Sequence, residues 1–297
     1  MSKTYNKVFN YSGNKQWFIS QFNDICVQHF KSEPDIVIDS FAGSGAISFN
    51  NTAKVTYLNE YNIWIYAMLM YTHTGPFYKT YYKFVKYIEQ NFGNIKTDKE
   101  AYYKFRNWWN ETYYIRYKNI VTIPFTRDFE DAIAGLICLS NSCLNSMLRF
   151  GPNGMNQSFG RRHYIPDIDT ISNVCFKDIK FTNADFFSDY YQEHLKEVSK
   201  AYEGQKIAVF LDPPYEFREM TYNNGFSTQR FVDVIKEKDF MSNALIVYTD
   251  IENEVSDQLL DYGYEKIYIR EMKSTSPNRK NENKTGNEVA YIRKGII

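Results

Sequence analysis

The sequence predicts an α/β fold: a doubly wound, Rossmann-like sheet that ends in an antiparallel hairpin and is interrupted by a mostly helical insertion. Three observations carry this. Two short apolar runs that end in an acid, Ile36–Asp39 and Val55–Glu60, lie about twenty residues apart with a glycine-rich turn between them, which is the pattern of a βαβ unit. From Asn62 to about Tyr117, Trp and Tyr recur at three- and four-residue spacings, the period of a helix. Short apolar, β-branched or aromatic runs then return at Ile207–Asp212, Ala244–Asp250, Glu265–Arg270 and Glu288–Arg293, as strands do. The sheet residues fall at 1–61 and 183–297 and the insertion at 62–182.

In chain order, Ile36-Val37-Ile38-Asp39 reads as a buried parallel strand. Ile63–Tyr71 is apolar but too short to span a bilayer and opens a buried helix. Arg127–Leu148 reads as a further helix with Thr126 as its cap and Glu130 in its first turn. Phe150-Gly151-Pro152-Asn153-Gly154 is dense in turn formers and predicts a loop or hairpin. Ile179–Thr182 reads as a strand, and Gly263 as a turn before the strand at Glu265. The last two strands are joined by the polar stretch Lys273–Asn287, which predicts a hairpin closing the sheet's edge.

Composition narrows the partners. Lys and Arg total 35 and Asp and Glu 35, so a basic surplus over the whole surface is absent and any nucleic-acid contact must be local. From Arg270 to Lys294 seven Lys/Arg stand against three Glu, and Arg149, Arg161 and Arg162 have no acid among them; either cluster alone also suits a solvated loop. The 26 Tyr and 23 Phe fit a coding bias with a Tyr-rich surface, or stacking platforms for bases. Cys26, Cys138, Cys143 and Cys175 show no paired metal spacing, which predicts a reducing, cytoplasmic setting without a structural metal. No leader and no membrane span is expected.

Asp212-Pro213-Pro214-Tyr215, directly after an apolar strand, is the most specific motif, arising by chance in roughly one chain in a thousand. Two prolines fix the backbone so that carbonyls point into a pocket. The Asp212 carboxylate and a prolyl carbonyl can then accept both hydrogens of an exocyclic amine, leaving the nitrogen lone pair aimed at an electrophile. Tyr215 offers a face for an extruded base. Asp39-Ser40-Phe41-Ala42-Gly43-Ser44-Gly45 follows a strand and precedes a helix, where nucleotide-like ligands bind. Glu60 lies 21 residues beyond Asp39 and could bind both hydroxyls of a ribose. No GxGxxG is present, and Asp39 favours an amino-acid ammonium over a pyrophosphate. In Tyr11-Ser12-Gly13-Asn14-Lys15, Lys15 could pair with a carboxylate and Tyr11 pack on a flat ring. Asp185-Phe186, at a strand end, could take an adenine amine and cover its ring.

Together these residues resemble the Dam-type DNA adenine methyltransferases, particularly their short bacteriophage members, over nearly the whole length and in the family's order. Tyr-Ser-Gly-Asn-Lys-Gln at 11–16 is similar to the N-terminal cofactor motif, Asp39–Gly45 to the glycine-rich loop, Glu60 to the ribose acid and Asp185-Phe186 to the cofactor-adenine pair. Asn145-Ser146-Met147-Leu148-Arg149, the turn at Gly154 and Phe159-Gly160-Arg161-Arg162 resemble the recognition helix and hairpin, and Gly286-Asn287-Glu288-Val289 resembles the tail of phage members.

The resemblance implies a catalytic S-adenosylmethionine-binding domain at 1–61 and 183–297 and an inserted DNA-recognition domain at 62–182. The implied activity is methylation of the exocyclic amine of an adenine flipped from double-stranded DNA, by a monomer or weak dimer that needs no metal and no membrane. Asp212, rather than a serine, favours adenine over cytosine. Implied DNA contacts are Asn145, Met147, Arg149, Ser158, Arg161 and Arg162, with GATC as the sequence read and Arg162 on a guanine. Three departures touch that reading. Leu144 stands where an aromatic is common, the stretch from Gly154 to Phe159 is one residue shorter, and Ser158 replaces a frequent proline. A nicotinamide-dependent dehydrogenase would share the strand, turn and acid but leaves Asp-Pro-Pro-Tyr unexplained. An RNA or protein methyltransferase more often carries Asn before the prolines, and an inactive DNA-binding module would be expected to have lost motif residues.

Overall fold

The computed structural model of the chain describes residues 9–11, 13, 15–73, 76–160, 178–215, 226–273 and 285–295. In chain order the elements are α1 (Ile19–Phe30), β1 (Ile36–Asp39), α2 (Ala46–Asn50), β2 (Val55–Asn59), α3 (Ile63–His73), α4 (Phe77–Phe92) and α5 (Lys99–Trp109), which runs through a π turn at Asn110–Tyr114 into α6 (Ile115–Tyr117). Then come α7 (Arg127–Ser142), β3 (Phe150–Gly151), β4 (Gly154–Met155), β5 (Asp178–Thr182), α8 (Asp189–Ala201), β6 (Ile207–Leu211), α9 (Thr228–Ile235), β7 (Ala244–Ile251), α10 (Glu254–Asp257), β8 (Glu265–Lys273) and β9 (Thr285–Arg293). Seven strands form one sheet in the order β5-β2-β1-β6-β7-β9-β8, and β3 pairs with β4. The mostly parallel sheet with its late antiparallel pair is the predicted architecture.

The chain packs as two compact units: Met1–Ile19, Ala42–Asn51 and Leu58–Asp185 in one, Ser20–Phe41, Thr52–Tyr57 and Phe186–Ile297 in the other. The second unit holds the centre of the sheet. β1, β6 and β7 run parallel, with Ile36 opposite Ile207 and Ile207 opposite Ala244. All of β1 and β6 and all but the last residue of β7 are buried, which is why these strands are continuous apolar runs rather than alternating ones. Phe22 of α1 packs edge-on against Phe210 at 5.4 Å. Ser188 caps α8 at the Tyr191 N–H, and Tyr191, Leu195 and Val198 form its buried stripe. Ser227 caps α9 at Arg230. At its other end Arg293 donates to the Ile235 carbonyl, a group that the helix itself leaves open, and to the carbonyls of Glu237 and Phe240 just beyond it. The predicted hairpin is β8 and β9, with β9 inside against β7 and β8 at the edge.

The first unit is built on aromatics. α4 buries Phe77, Thr80, Tyr81, Phe84 and Ile88, a helical stripe, and α7 is buried at Phe129 and continuously from Ala132. Trp109 donates its indole N–H to the Ala132 carbonyl at 2.8 Å. Trp64 packs on Trp109 and Phe150, and Phe150 stacks on Tyr114 with planes 11° apart. Much of the heavy Tyr and Phe content is therefore core, with Tyr81, Tyr102, Tyr191, Tyr248 and Tyr291 fully buried, and neither reading of it from composition alone covers this use. Burial also raises the thiols of Cys26, Cys138 and Cys143 to about 12.

One helix ends earlier than its pattern predicts. α7 starts as expected, with Thr126 accepting from the Phe129 N–H, but stops at Ser142 rather than Leu148. Cys143 is extended and Asn145 and Ser146 have φ of +57° and +53°. The returning chain takes the groups a longer helix would use: Gly160 donates to the Ser142 carbonyl and Leu144 donates to the Ser158 carbonyl. That approach is close enough that a Cβ on Gly160 would lie 2.5 Å from the Cys143 oxygen, so glycine is required there.

Gly135 sits mid-helix in α7 for a similar reason. A Cβ there would meet Trp109 at 2.7 Å and Phe84 at 3.0 Å, and the bonded, buried indole cannot yield. Helix propensity favours alanine by about 0.5–1 kcal/mol, whereas overpacking costs about 1–3 kcal/mol. Gly135→Ala is therefore expected to destabilise the protein by about 1–2 kcal/mol, read as a lower urea midpoint; a higher midpoint would contradict the packing.

Candidate active site

In the second unit the parallel register sets Asp39 opposite Phe210, so the ends of β1 and β6 share the carboxyl edge of the sheet. The chain winds outward from β1 to β2 on one side and from β6 to β7 on the other, which makes this pair the topological switch point where open sheets bind ligands. Asp39 and Ser40 are buried there, and Ser40 accepts from the Tyr191 hydroxyl at 3.0 Å. Phe41 stacks on Phe186 at 5.0 Å, with Phe231 and Phe226 edge-on to it. Arg230 lies 4.2 Å over the Phe187 ring. Phe226, Phe231 and Arg230 were not singled out from the sequence, where they resemble ordinary helix-start residues.

Asp212-Pro213-Pro214-Tyr215 leaves the sheet directly after β6, since prolines bring no N–H to a ladder. Its two polar side chains are anchored on the neighbouring strands. Thr249 of β7 donates to Asp212 Oδ1 at 2.9 Å. The Tyr215 hydroxyl lies 2.8 Å from Glu288 Oε1 and 3.4 Å from Asp212 Oδ1. It has one proton, and the shorter contact to Glu288 takes it. Burial, with Asp212 and Glu288 nearby, pushes the phenol well above its usual range, so it remains a donor at any working pH. Tyr215 has 8% of its surface exposed. Sequence reasoning missed Thr249, which follows an apolar run, and did not give Glu288 a role although its tail motif stood out.

In the first unit the glycine-rich loop continues from Ala42. Gly43 and Gly45 have φ of +54° and +72°; a Cβ on Gly43 would lie 3.1 Å from the Tyr11 ring and one on Gly45 2.5 Å from Phe49. Glu60 accepts from the Gly43 N–H at 2.9 Å and from the Asn62 N–H at 2.8 Å, tying the loop to the start of α3. Ser44 is half-buried in this loop and Lys15 is buried. Asn59 exchanges two 3.1 Å hydrogen bonds with the backbone of Ala184, which fixes the chain just before Asp185, itself exposed.

The same unit contains the segment expected to read DNA. Asn145, Arg149 and Ser158 are exposed and Met147 is half-buried; Arg161 and Arg162 lie outside the described residues. The β3–β4 hairpin is braced from behind. Asn110, at the π turn, accepts from the Met155 N–H and donates to its carbonyl, both at 2.9 Å. Tyr114 donates to the Gly151 carbonyl, and Tyr102 and Arg106 donate to that of Gln157. Gly154 has φ +113° and a Cβ there would lie 2.3 Å from Asn110 Oδ1. Arg149 Nε is held by Asn156 at 2.7 Å.

The sequence model of the D12 class N6 adenine-specific DNA methyltransferases matches residues 11–276, a range that takes in both the Tyr11 motif and Asp-Pro-Pro-Tyr. The chain belongs to this family. No curated protein matches it. An adenine-specific DNA methyltransferase acts on DNA, and in the basic stretch near the C-terminus three cations have partners within the chain: Arg270 with Glu288, Arg293 with the Ile235 carbonyl and Lys294 with Glu265. Among the described residues no helix is long and apolar enough to cross a membrane, and no group of three His, Cys, Asp or Glu is placed to hold a metal.

The brace on the hairpin is testable in this methyltransferase. Asn110→Ala removes both bonds to Met155 and leaves a buried N–H and carbonyl unmatched, a loss of about 1–3 kcal/mol locally. Amide exchange at Met155 is expected to speed up at least tenfold while exchange in β6 is unchanged; equal rates at Met155 would mean that the hairpin holds itself.

Proposed function

We propose that the chain is a Dam-type, phage-like enzyme that transfers a methyl group from S-adenosylmethionine to the exocyclic amine of an adenine flipped out of a short duplex sequence. The observation that carries this is Asp-Pro-Pro-Tyr at the carboxyl edge of β6, next to the strand that ends in Asp39, with Asp212 held by Thr249. We assign the catalytic part to 1–61 and 183–297 and target recognition to 62–182, acting in the cytoplasm.

The donor set suits S-adenosylmethionine. The loop at Gly43 is open only to glycine, so its backbone can approach a ligand. Asp39 and Lys15 supply opposite charges for an ammonium and a carboxylate. Glu60, already fixed by the N–H groups of Gly43 and Asn62 beside the glycine-rich loop, binds the ribose hydroxyls. Asp185 takes the adenine amine, with Tyr11, Phe41 and Phe186 covering flat surface and Ala42, Ser44 and Gly45 shaping the loop. Bound there, S-adenosylmethionine supplies a methyl group already activated by its sulfonium.

The protein's own contribution is then positional. Asp212 and the Pro213 carbonyl accept the two amine hydrogens of the target adenine, so its lone pair is directed at the methyl carbon. Pro214 keeps the segment rigid, and Tyr215 stacks on the base. As the new N–C bond forms the methyl–sulfur bond would break, its electron pair leaving with sulfur as S-adenosylhomocysteine, and the amine would release one proton to solvent. Asn145, Met147, Arg149, Ser158, Arg161 and Arg162 read the duplex, with GATC as the sequence and Arg162 bidentate on a guanine. The exposure of Asn145, Arg149 and Ser158 on a braced hairpin region supports this.

The deciding experiment is transfer of labelled methyl from S-adenosylmethionine to unmethylated genomic DNA, with product nucleosides separated and modified sites sequenced. N6-methyladenine within GATC is expected; transfer to RNA alone, or to another base, sinks the reading. Asp212→Ala should abolish transfer and leave cofactor affinity within about threefold, and surviving turnover would remove its role. Arg162→Ala should weaken discrimination at one guanine by about 1–3 kcal/mol, measured on duplexes substituted at each position; unchanged discrimination would remove that assignment.

A further inference from the structure

Glu288 lies beyond the residues matched by the family, which end at 276, and its surroundings are unusual for a strand residue. It sits in β9 with only 1% of its surface exposed, and both carboxylate oxygens are engaged. Arg270 Nε donates to Oε2 at 2.9 Å, and the Tyr215 hydroxyl donates to Oε1 at 2.8 Å. A buried carboxylate is costly unless it is paired and hydrogen-bonded, and this one is both. Arg270 stands directly opposite it across β8 and β9, at a register irregularity between Tyr268 and Arg270, the kind of bulge that re-aims a side chain. The Arg270 side chain is 45% exposed, so the cation keeps much of its hydration while the carboxylate gives up its own.

An ion pair between the edge strand and its neighbour would by itself be a sheet device. The third member makes it more. Tyr215 is fixed at its backbone end by two prolines, and Glu288 fixes the opposite end of the same ring through the hydroxyl, 73 positions away in sequence. A tyrosine has two rotatable side-chain bonds, so constraints at both ends leave the plane of the ring little freedom. The arrangement also separates two carboxylates that face one phenolic proton: Glu288 receives it at 2.8 Å, and Asp212 has its short bond from Thr249 instead.

We propose that Glu288, charge-paired with Arg270, is a positioning residue that sets the plane of the Tyr215 ring against which the target adenine stacks. This rests on the reading of Tyr215 as the stacking face. Its action on the base runs through the Tyr215 hydroxyl.

The test uses the full chain and a duplex carrying the site mapped by sequencing, with 2-aminopurine at the target position, a probe whose fluorescence reports unstacking and restacking of the extruded base. Glu288→Ala is expected to lower kcat about tenfold, to change the 2-aminopurine signal, and to leave KM for S-adenosylmethionine within about twofold. Glu288→Gln retains an acceptor for the hydroxyl and should restore kcat to within about threefold of the parent. Tyr215→Phe, which deletes one oxygen, should reproduce the Glu288→Ala loss, and the double variant Tyr215→Phe/Glu288→Ala should be no slower than the worse single one, since both remove the same bond. Multiplying losses in the double variant, or an unchanged kcat and signal in Tyr215→Phe, would overturn the proposal even if Glu288→Ala does not fold. Tyr215→Ala separates the two levels. If it is inactive while Tyr215→Phe and Glu288→Gln match the parent, only the role of Glu288 falls; if it is fully active, the stacking reading of Tyr215 falls first.

Discussion

The parallel pairing of β1 with β6 is the constraint on which the rest depends. With Asp39 opposite Phe210, two chain segments separated by most of the sequence end at one edge of the sheet, and each continues into a motif. Neither motif could act from a sheet interior, where backbone groups are consumed by the ladder. The winding order then opens the crevice at that same pair. The strands that deliver these ends are buried throughout, so the register cannot slip without moving apolar surface toward water.

A rigid turn alone would not hold the two polar side chains of Asp-Pro-Pro-Tyr. The prolines fix the backbone, but side-chain direction comes from the strands beyond. β7 supplies Thr249 to Asp212, and β9 supplies Glu288 to Tyr215. Reversing direction at β9 brings a C-terminal carboxylate back to the edge where β6 ends. Burial has a cost for the Glu288 charge, offset by Arg270 and by the phenol.

The helical unit follows a different logic. Its aromatics make a core in which Trp109, Trp64 and Phe129 interlock, and the hairpin is mounted on that core through Asn110 and Tyr114. The π turn at Asn110–Tyr114 is where the helix departs from regularity, as such turns often do near functional segments. Asn110 there imitates a strand neighbour by exchanging two bonds with Met155. A short two-stranded hairpin is marginal alone in water, and this support from a rigid element is what lets it present exposed side chains in a fixed order.

The strands, the glycine-rich loop, the start of α7 at Thr126 and the turn at Gly154 were legible in the sequence because each depends on local chemistry: periodicity, capping, or the freedom of glycine. The position of Asp212–Tyr215 directly after β6 was legible because two prolines bring no N–H to a ladder and so end the strand. The end of α7 was not, since the segment from Cys143 to Leu148 has nothing against helix in its own residues; the returning backbone at Ser158 and Gly160 decided it by taking its hydrogen bonds. Thr249, Glu288 and Arg270 were hidden for the same reason, each lying in a strand whose pattern reports only the sheet. The sequence by itself determined the class of fold and the chemical groups available. The tertiary structure alone decided which of those groups meet, because hydrogen bonds between Tyr215 and Glu288 or Asn110 and Met155 join residues 73 and 45 positions apart, and no local pattern encodes a partner at that distance.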